Sequence, residues 1–495
     1  MLVILFSIIF FSLEIFPKTD LFLDDGYYHF TIARLIGEGR LWIDISWLPY
    51  TILGAHGPDH QWLFHVLLAP FTWIPDNYLA IRIAIIFTGA LVPIILFLIL
   101  EKCKVPFPSL FALLSIFGGI GIPLRFEMLR AQNLSVLFSV LFIYFVIRRS
   151  YVSMAILTYL FFNAYHGAII TVPIIFIAIF VKYIKHHVLE KELLLYFFAA
   201  FGLAIIINPW FPRNIDYLLI HLFSKSDRAL TQSIGTEWLP YPLSDFSKNI
   251  YPVNFAIFFA AGYFLFVVGK VRHYFREMSE EVLVFILLTL VVLGGTLHSN
   301  RFVEYYAPFA AISSGLLMRD AIGFYSRNDH SNSAKTTMLR YARKAWYLLT
   351  IFSLLVVGIV NISSYKKMDG YHVENYQPLA KFLHEQVKNG SIIFNTSWAD
   401  FVFLMWQTTD YRMVNGLDVH FLADADQERF LLWYKTIYRY DFTSPTLIQD
   451  LRDKFSTNWI MVHAADATLA QYLLRQSGVT LRFHYPYGWL FYIDE

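Results

Sequence analysis

The sequence predicts an α-helical polytopic membrane protein with a small α/β domain at its C-terminal end, and three observations carry that expectation. Of 495 residues, 57% are hydrophobic and only 15% charged, whereas soluble proteins carry about 25% charge. Apolar runs approaching the length of a membrane span recur along most of the chain, as expected of a polytopic protein. Charges, turn residues and short β-like runs return after Tyr365.

A spanning helix takes roughly 20 mostly apolar residues, and about eleven segments are candidates. They are 2–16, 79–100, 109–124, 134–147, 151–165, 168–184, 193–207, 253–268, 282–297, 305–317 and 346–361. The first lacks a basic lead and a small-residue cleavage site, so an uncleaved anchor is expected rather than a signal peptide. The third contains Phe117-Gly118-Gly119-Ile120-Gly121-Ile122-Pro123, a possible break.

Loop charge then sets orientation. Lys102 and Lys104, Arg148 and Arg149, Lys182 with Lys185 and Lys191, Lys270 with Arg272 and Arg276, and the Arg319–Lys344 segment fall on alternate loops. Basic loops stay cytoplasmic, so the loop with Asp24 and Asp25 and the region after Tyr365 are expected outside. Residues 1–364 form the expected transmembrane domain, with a long first outer loop at 17–78. Residues 365–495 form the expected extracytoplasmic domain. In the latter, 391–395 and 459–463 read as strands, 486–488 as the turn of a hairpin, and 377–388 and 446–455 as helices.

Two partner classes drop out early. A net charge of +2, with no basic run interleaved with aromatics, gives no nucleic-acid footprint. The single cysteine, Cys103, excludes an intramolecular disulfide and a cysteine-based metal site.

The outer loops collect the mixed polar groups that cytoplasmic loops lack: Asp24, Asp25, His29, His56, Asp59, His60, His65, Arg125, Glu127, Arg130, His166, Glu237, Trp238, Arg301 and Glu304 among them. Ionisable groups at a membrane boundary are costly and usually mark a functional cavity. Asp24 and Asp25 precede a short amphipathic run ending near Gly37 or Gly39. A helix cap explains one aspartate. The pair suits divalent-metal binding or general-base chemistry. In "LGAHGPDHQWLFH" the histidines match no zinc-protease spacing, and they are expected to meet phosphate or solvent. Arg125 and Arg130 in "RFEMLRAQN" are long enough to reach lipid headgroups, and a guanidinium fork also clamps phosphate. Arg301 and Glu304 in "HSNRFVEYY" have the spacing of a local ion pair.

Together "LDDGYYHF", "LRAQNLSVL", "NAYHGA", "INPWFPRNI", "TEWLP" and "NRFVEYYAPF" resemble segments of the GT-C superfamily of membrane glycosyltransferases. That resemblance implies a polyprenyl-phosphate-linked sugar as donor, a glycan, lipid or protein as acceptor, and inversion at the sugar carbon. It implies Asp25 as base and Asp24 as its support or, with Asp25, as ligand to a divalent ion such as Mg or Mn. Arg130, Arg301, His29 and His166 are the implied donor-phosphate residues, and Glu237, Trp238 and Asp400 the implied acceptor or support residues. The stretch from Ser391 is loosely similar to oligosaccharyltransferase catalytic subunits, whose WWDYG motif binds the acceptor sequon. Here Ser397-Trp398-Ala399-Asp400-Phe401 lacks the second Trp, the Tyr and the Gly. The implied location is a prokaryotic plasma membrane with the site outside.

Two rivals remain at this stage. One is transfer of a whole glycan to protein, as oligosaccharyltransferases do. The other is a lipid-linked-sugar transporter or flippase, which would place its ionisable residues near the bilayer midplane. The one-sided polar distribution favours an enzyme.

Overall fold

The computed structural model describes residues 2–15, 21, 24–54, 57–223, 239–268, 277–328, 333–367 and 372–494. Two compact units share the chain. One comprises Met1–Lys18, Arg82–Ala204 and Ala229–Met368; the other comprises Thr19–Ile81, Ile205–Arg228 and Asp369–Glu495.

Among the described residues, five helices are long and apolar enough to cross a membrane: Asn77–Lys102, His166–His186, Tyr251–Val268, Glu280–His298 and Thr337–Tyr365. Shorter apolar helices occupy Pro108–Phe117, Ala131–Ile147 and Tyr151–Ala164. The chain is an integral membrane protein. Its helices expose large apolar side chains, with Phe258 75% accessible and Leu348 and Ile359 both 68%. Such a surface suits lipid and would be an aggregation hazard in water.

Small side chains organise the first unit. The Val303–Asn328 helix packs on Tyr251–Val268, Glu280–His298 and Pro108–Phe117. Ala307, Ala310, Ala311, Ser313 and Ser314 are buried along it. With little hydrophobic drive between helices in lipid, close backbone approach over small residues and interhelical hydrogen bonds do the holding. Thr289 and Ser313 hydroxyls lie 2.9 Å apart and Ser135 and Tyr305 hydroxyls 2.5 Å apart. A Cβ added to Gly315 would stand 2.8 Å from Val105 Cγ1 and 3.1 Å from the Phe111 ring.

The apolar run at 109–124 is not one helix. Pro108–Phe117 stops at Gly118, and Ile122–Glu127 begins after Gly121, whose φ of 78° lies in the left-handed region that favours glycine. Backbone groups freed inside a membrane protein need internal partners. Asn361 supplies one: its Oδ1 accepts the Gly121 N–H at 2.7 Å. The Asn249 carbonyl accepts the Ile120 N–H at 2.7 Å.

The second unit is built on a five-stranded mixed sheet: β1 (Ile392–Asn395), β2 (Arg412–Met413), β3 (Trp459–His463), β4 (Val479–Tyr485) and β5 (Gly488–Ile493). The order is β2-β1-β3-β5-β4. β1 runs parallel to both β2 and β3, and β5 runs antiparallel to β3 and β4. The strands expected at 391–395 and 459–463, the terminal hairpin, and the helices Gln377–Gln386 and Leu447–Phe455 are all present. Central strand residues Ile393, Phe394, Ile460, Met461, Val462, Leu490 and Phe491 are buried. Each full burial of such a side chain stabilises the fold by about 1.5–3 kcal/mol.

This unit also takes in the segment following the first helix. Trp47 accepts the Met413 N–H at 2.8 Å and donates its indole N–H to the Thr409 carbonyl at 2.7 Å. Ile52 N–H meets the Phe421 carbonyl at 2.9 Å, and Tyr50 donates to the Phe455 carbonyl at 2.7 Å. Beside these, the Asp25–Gly37 helix packs on the Asp400–Gln407 helix. Trp406 fills that contact, with Tyr27, Phe30 and Tyr78 around its ring and the Arg34 guanidinium 5.7 Å from it. The aspartate motif is thus seated on the sheet unit by its own aromatic residues.

Candidate functional site

The Asp25–Gly37 helix begins with the acid pair. Asp24 is its N-cap: Oδ1 accepts the Asp25 N–H at 3.0 Å, and its carbonyl accepts the Tyr27 N–H at 2.9 Å. Asp25 occupies the first turn, where the helix dipole favours a carboxylate. Both side chains are half-buried. Asp24 thus caps the helix through one oxygen, and Asp25 is held one residue further in.

One turn along, His29 is 5% exposed and its Nδ1 lies 2.8 Å from His65 Nε2. His65 is fully buried and its Nδ1 lies 2.7 Å from Asp59 Oδ2. Asp59, 2% exposed, accepts the Gln61 N–H on its other oxygen at 3.1 Å. Tyr28 stands edge-on to His65, with its hydroxyl buried. Burial first, then the charges of Asp59 and Asp25, push its phenol well above the usual tyrosine range. His65 was expected to meet phosphate or solvent; instead it is enclosed and bonded to an aspartate and a second histidine. His60 lies against Tyr217, rings 4.5 Å apart. His56 lies outside the described residues.

The first unit holds a second cluster. Arg125 Nη1 lies 2.8 Å and Arg130 Nη2 3.4 Å from the same oxygen of Glu304. Arg130 and Glu304 are both buried. The turn carrying the arginines is pinned by Asn133, whose amide donates to the Phe126 and Met128 carbonyls at 2.9 and 3.0 Å. Glu304 opens the Val303–Asn328 helix just after the short turn bearing Arg301. His166 starts a tight 3-10 turn, its ring 4.3 Å from Tyr165. Two guanidiniums share one Glu304 carboxylate oxygen, and Glu127, also buried, ends the short helix that carries Arg125; a guanidinium fork is a group that suits phosphate.

Asp400 heads the Asp400–Gln407 helix beyond the carboxyl end of β1. It is 1% exposed; Oδ1 accepts the Tyr376 hydroxyl at 2.5 Å, and Oδ2 has no hydrogen-bond partner among the described residues. Burial raises its carboxyl to about 7, against the opposing pull of the Tyr376 bond. Asp466, after β3, adds to the rise. Glu237 and Trp238 lie outside the described residues.

The structure joins Asp24, Asp25 and His29 in the opening turns of one helix, and joins Arg130 to Glu304 and Arg125. Sequence reasoning had placed Asp59, His65 and Glu304 among the outer polar groups without these partners. The available signal for the first two was a histidine six residues after an aspartate, beside an apolar run. Nothing in the sequence tied either to His29.

No protein-family model matches the chain, and no curated protein matches it by sequence. Solved structures do match. AglB of Archaeoglobus fulgidus, an archaeal oligosaccharyltransferase in complex with an inhibitory peptide and a dolichol-phosphate, superposes with a TM-score of 0.60. The match has 12% identity and covers 93% of this chain and 69% of AglB. The apo form gives 0.61 at 12%, over 98% and 74%. ArnT of Cupriavidus metallidurans, bound to undecaprenyl phosphate, gives 0.56 at 11%, over 99% of this chain and 97% of ArnT. Nearly the whole chain has the GT-C glycosyltransferase fold.

Proposed function

We propose that this protein is an inverting membrane glycosyltransferase that moves a sugar from a polyprenyl-phosphate-linked donor to an extracytoplasmic glycan, lipid or protein. The observation that carries this reading is the acid pair at the head of a helix, in a chain with the GT-C fold over nearly its full length. In it Asp25 takes the acceptor's hydroxyl proton and Asp24 fixes the turn that presents it. The acceptor oxygen bonds to the sugar's anomeric carbon as the carbon–oxygen bond to phosphate breaks. A single displacement inverts that carbon. Arg130 and Arg301, with His166, neutralise charge on the leaving phosphate, the kind of electrostatic aid worth most where water is excluded. Glu237, Trp238 and Asp400 belong to acceptor binding or its support.

Among the described residues no three His, Cys, Asp or Glu side chains gather as a metal site. Magnesium commonly takes one or two carboxylates and completes its shell with substrate phosphate. Asp24 and Asp25 fit that smaller role, and the ion would supply positive charge beside the phosphate. The proposed location is a prokaryotic plasma membrane, with the acid pair and the sheet unit outside.

A second reading, transfer of a whole lipid-linked glycan to protein, draws on the AglB match. The altered Ser397–Phe401 stretch argues against sequon recognition. The deciding experiment compares lipid-linked sugars and envelope glycans in cells with and without the gene. Accumulation of a polyprenyl-linked monosaccharide supports single-sugar transfer, and accumulation of a lipid-linked oligosaccharide supports the second reading.

A further inference from the structure

The second unit carries tryptophans on its surface that neither its sheet nor the candidate site uses. Trp42 is 56% exposed, yet its ring is held. It stacks on Trp62 with ring centroids 5.0 Å apart and stands edge-to-face with Trp210 at 6.4 Å. The two inner indoles are tied down by their own N–H groups: Trp62 donates to the Leu41 carbonyl and Trp210 to Asp44 Oδ1, each at 3.0 Å. Asn208 and Asn214 pin the turn around Trp210. The first accepts the Trp210 backbone N–H at 3.0 Å, and the second donates its amide to the Ile205 carbonyl at 3.0 Å. Leu41 and Phe211, next to these rings in the chain, are exposed as well. Trp73, closing the Ala69–Trp73 turn, is 75% exposed.

Both segments run directly into apolar helices. Asn77–Lys102, long enough to cross a membrane, begins four residues after Trp73, and the apolar Lys191–Ile206 helix ends four residues before Trp210. Extended chain spans at most about 3.6 Å per residue, so neither tryptophan stands more than about 14 Å from a helix end. Lys102 and Lys191 occupy the opposite ends of those helices, so the loop-charge rule puts the tryptophans at the outer leaflet. Indole rings collect at such boundaries because one part is apolar and another donates a hydrogen bond. A sugar platform fits less well. Sugar hydroxyls laid against Leu41 and Phe211 would lose water without gaining hydrogen bonds.

We propose that Trp42 and Trp73, with Leu41 and Phe211, seat the second unit in the lipid headgroup layer, so that this unit rests on the bilayer surface. The occupant of this aromatic face is lipid. The seat also bears on the acid pair, because the Asp25–Gly37 helix packs on both the Trp62–Leu68 helix and the Ala69–Trp73 turn. A helix of 13 residues is about 20 Å long, and that length bounds how far Asp25 stands from the anchored turn. This link to catalysis rests on the transferase reading above; the lipid contact does not.

The test measures depth directly. The full chain, in nanodiscs of phosphatidylethanolamine and phosphatidylglycerol, carries one nitroxide label on a Cys103→Ser background. The label is placed through Trp42→Cys or, if that variant does not fold, Leu41→Cys. Trp73→Cys gives the second position. Asp453→Cys, whose side chain is exposed on the sheet unit, gives the aqueous reference. The seat predicts that oxygen relaxes the labels at 42 and 73 several times more, relative to a water-soluble nickel chelate, than the label at 453. An oxygen-to-nickel ratio at 42 or 41 equal to that at 453 overturns it. So does a label there that nickel reaches freely until a soluble maltooligosaccharide shields it, which would mark a sugar platform instead. No step needs turnover, so failure of the transferase reading, seen in unchanged cellular glycans, leaves the result readable.

Discussion

Tyr376 donates its hydroxyl to Asp400 across 2.5 Å, at a point where Asp400 has lost nearly all contact with water. The bond offsets only part of the burial cost, so the carboxyl sits at about 7 rather than at its ordinary 3.8. The folded state therefore keeps a proton that the unfolded chain releases from about pH 4 upward. Asp400's contribution to stability is fully present below about pH 4. It is lost as pH rises to 7 and is flat above that. A shift of this size corresponds to about 4 kcal/mol. Asp400→Asn should melt like wild type near pH 4.5 and progressively higher than wild type towards pH 8. Thermal unfolding of the full chain across that range checks the sign. Tyr376→Phe, by removing the bond that holds the carboxyl down, should extend the wild-type decline to higher pH.

Glu304 pairs with two arginines at once. Glu304→Gln leaves the buried Arg130 and the nearby Arg125 without that charge, and breaking a buried pair in this manner costs about 3–5 kcal/mol. Adding Arg125→Gln should restore part of the loss, because it removes one of the two cations that Glu304 pairs with. A double-mutant cycle on detergent half-life measures the coupling; strict additivity would mean that the pair carries none.

Close helix approach at Gly315 gives a packing prediction. Gly315→Val must displace Val105 or the Phe111 ring, and overpacking of this kind costs about 1–3 kcal/mol. Gly294 has open space where its Cβ would stand, so Gly294→Ala is the matched control and should leave the melting temperature near wild type.

If Asp24 and Asp25 hold a divalent ion against the donor phosphate, chelation of purified protein should lower transfer, and Mg or Mn should restore it. Transfer unaffected by exhaustive chelation would assign the pair to base and cap roles alone.

Much of this architecture is legible in the sequence because its signals are local. Short apolar runs rich in β-branched and aromatic residues at 392–395 and 459–463 mark strands, and long apolar runs mark spans. Glycine at 118, 119 and 121 marks the break in the 109–124 run. The acid pair at the head of a helix is legible for the same reason. What the sequence hides is set by distant partners. Nothing near Asp400 announces Tyr376, and nothing near Trp47 announces Met413 and Thr409. The Asp59–His65–His29 chain joins residues 36 positions apart, and no spacing rule reaches across a loop. Helical spacing offers Glu304 its neighbour Arg301 and says nothing of Arg125 and Arg130, which the fold brings to it.

The central claim is that Asp24 and Asp25 serve a sugar transfer from a polyprenyl phosphate. Its most direct test compares lipid-linked sugars and envelope glycans in three strains: one lacking the gene, one carrying it intact, and one carrying stably expressed Asp24→Asn, Asp25→Asn protein. The account predicts that the deletion loses a glycan and accumulates a polyprenyl-linked sugar, and that the double variant does the same. Full restoration by the double variant would contradict it and reduce the aspartates to helix caps.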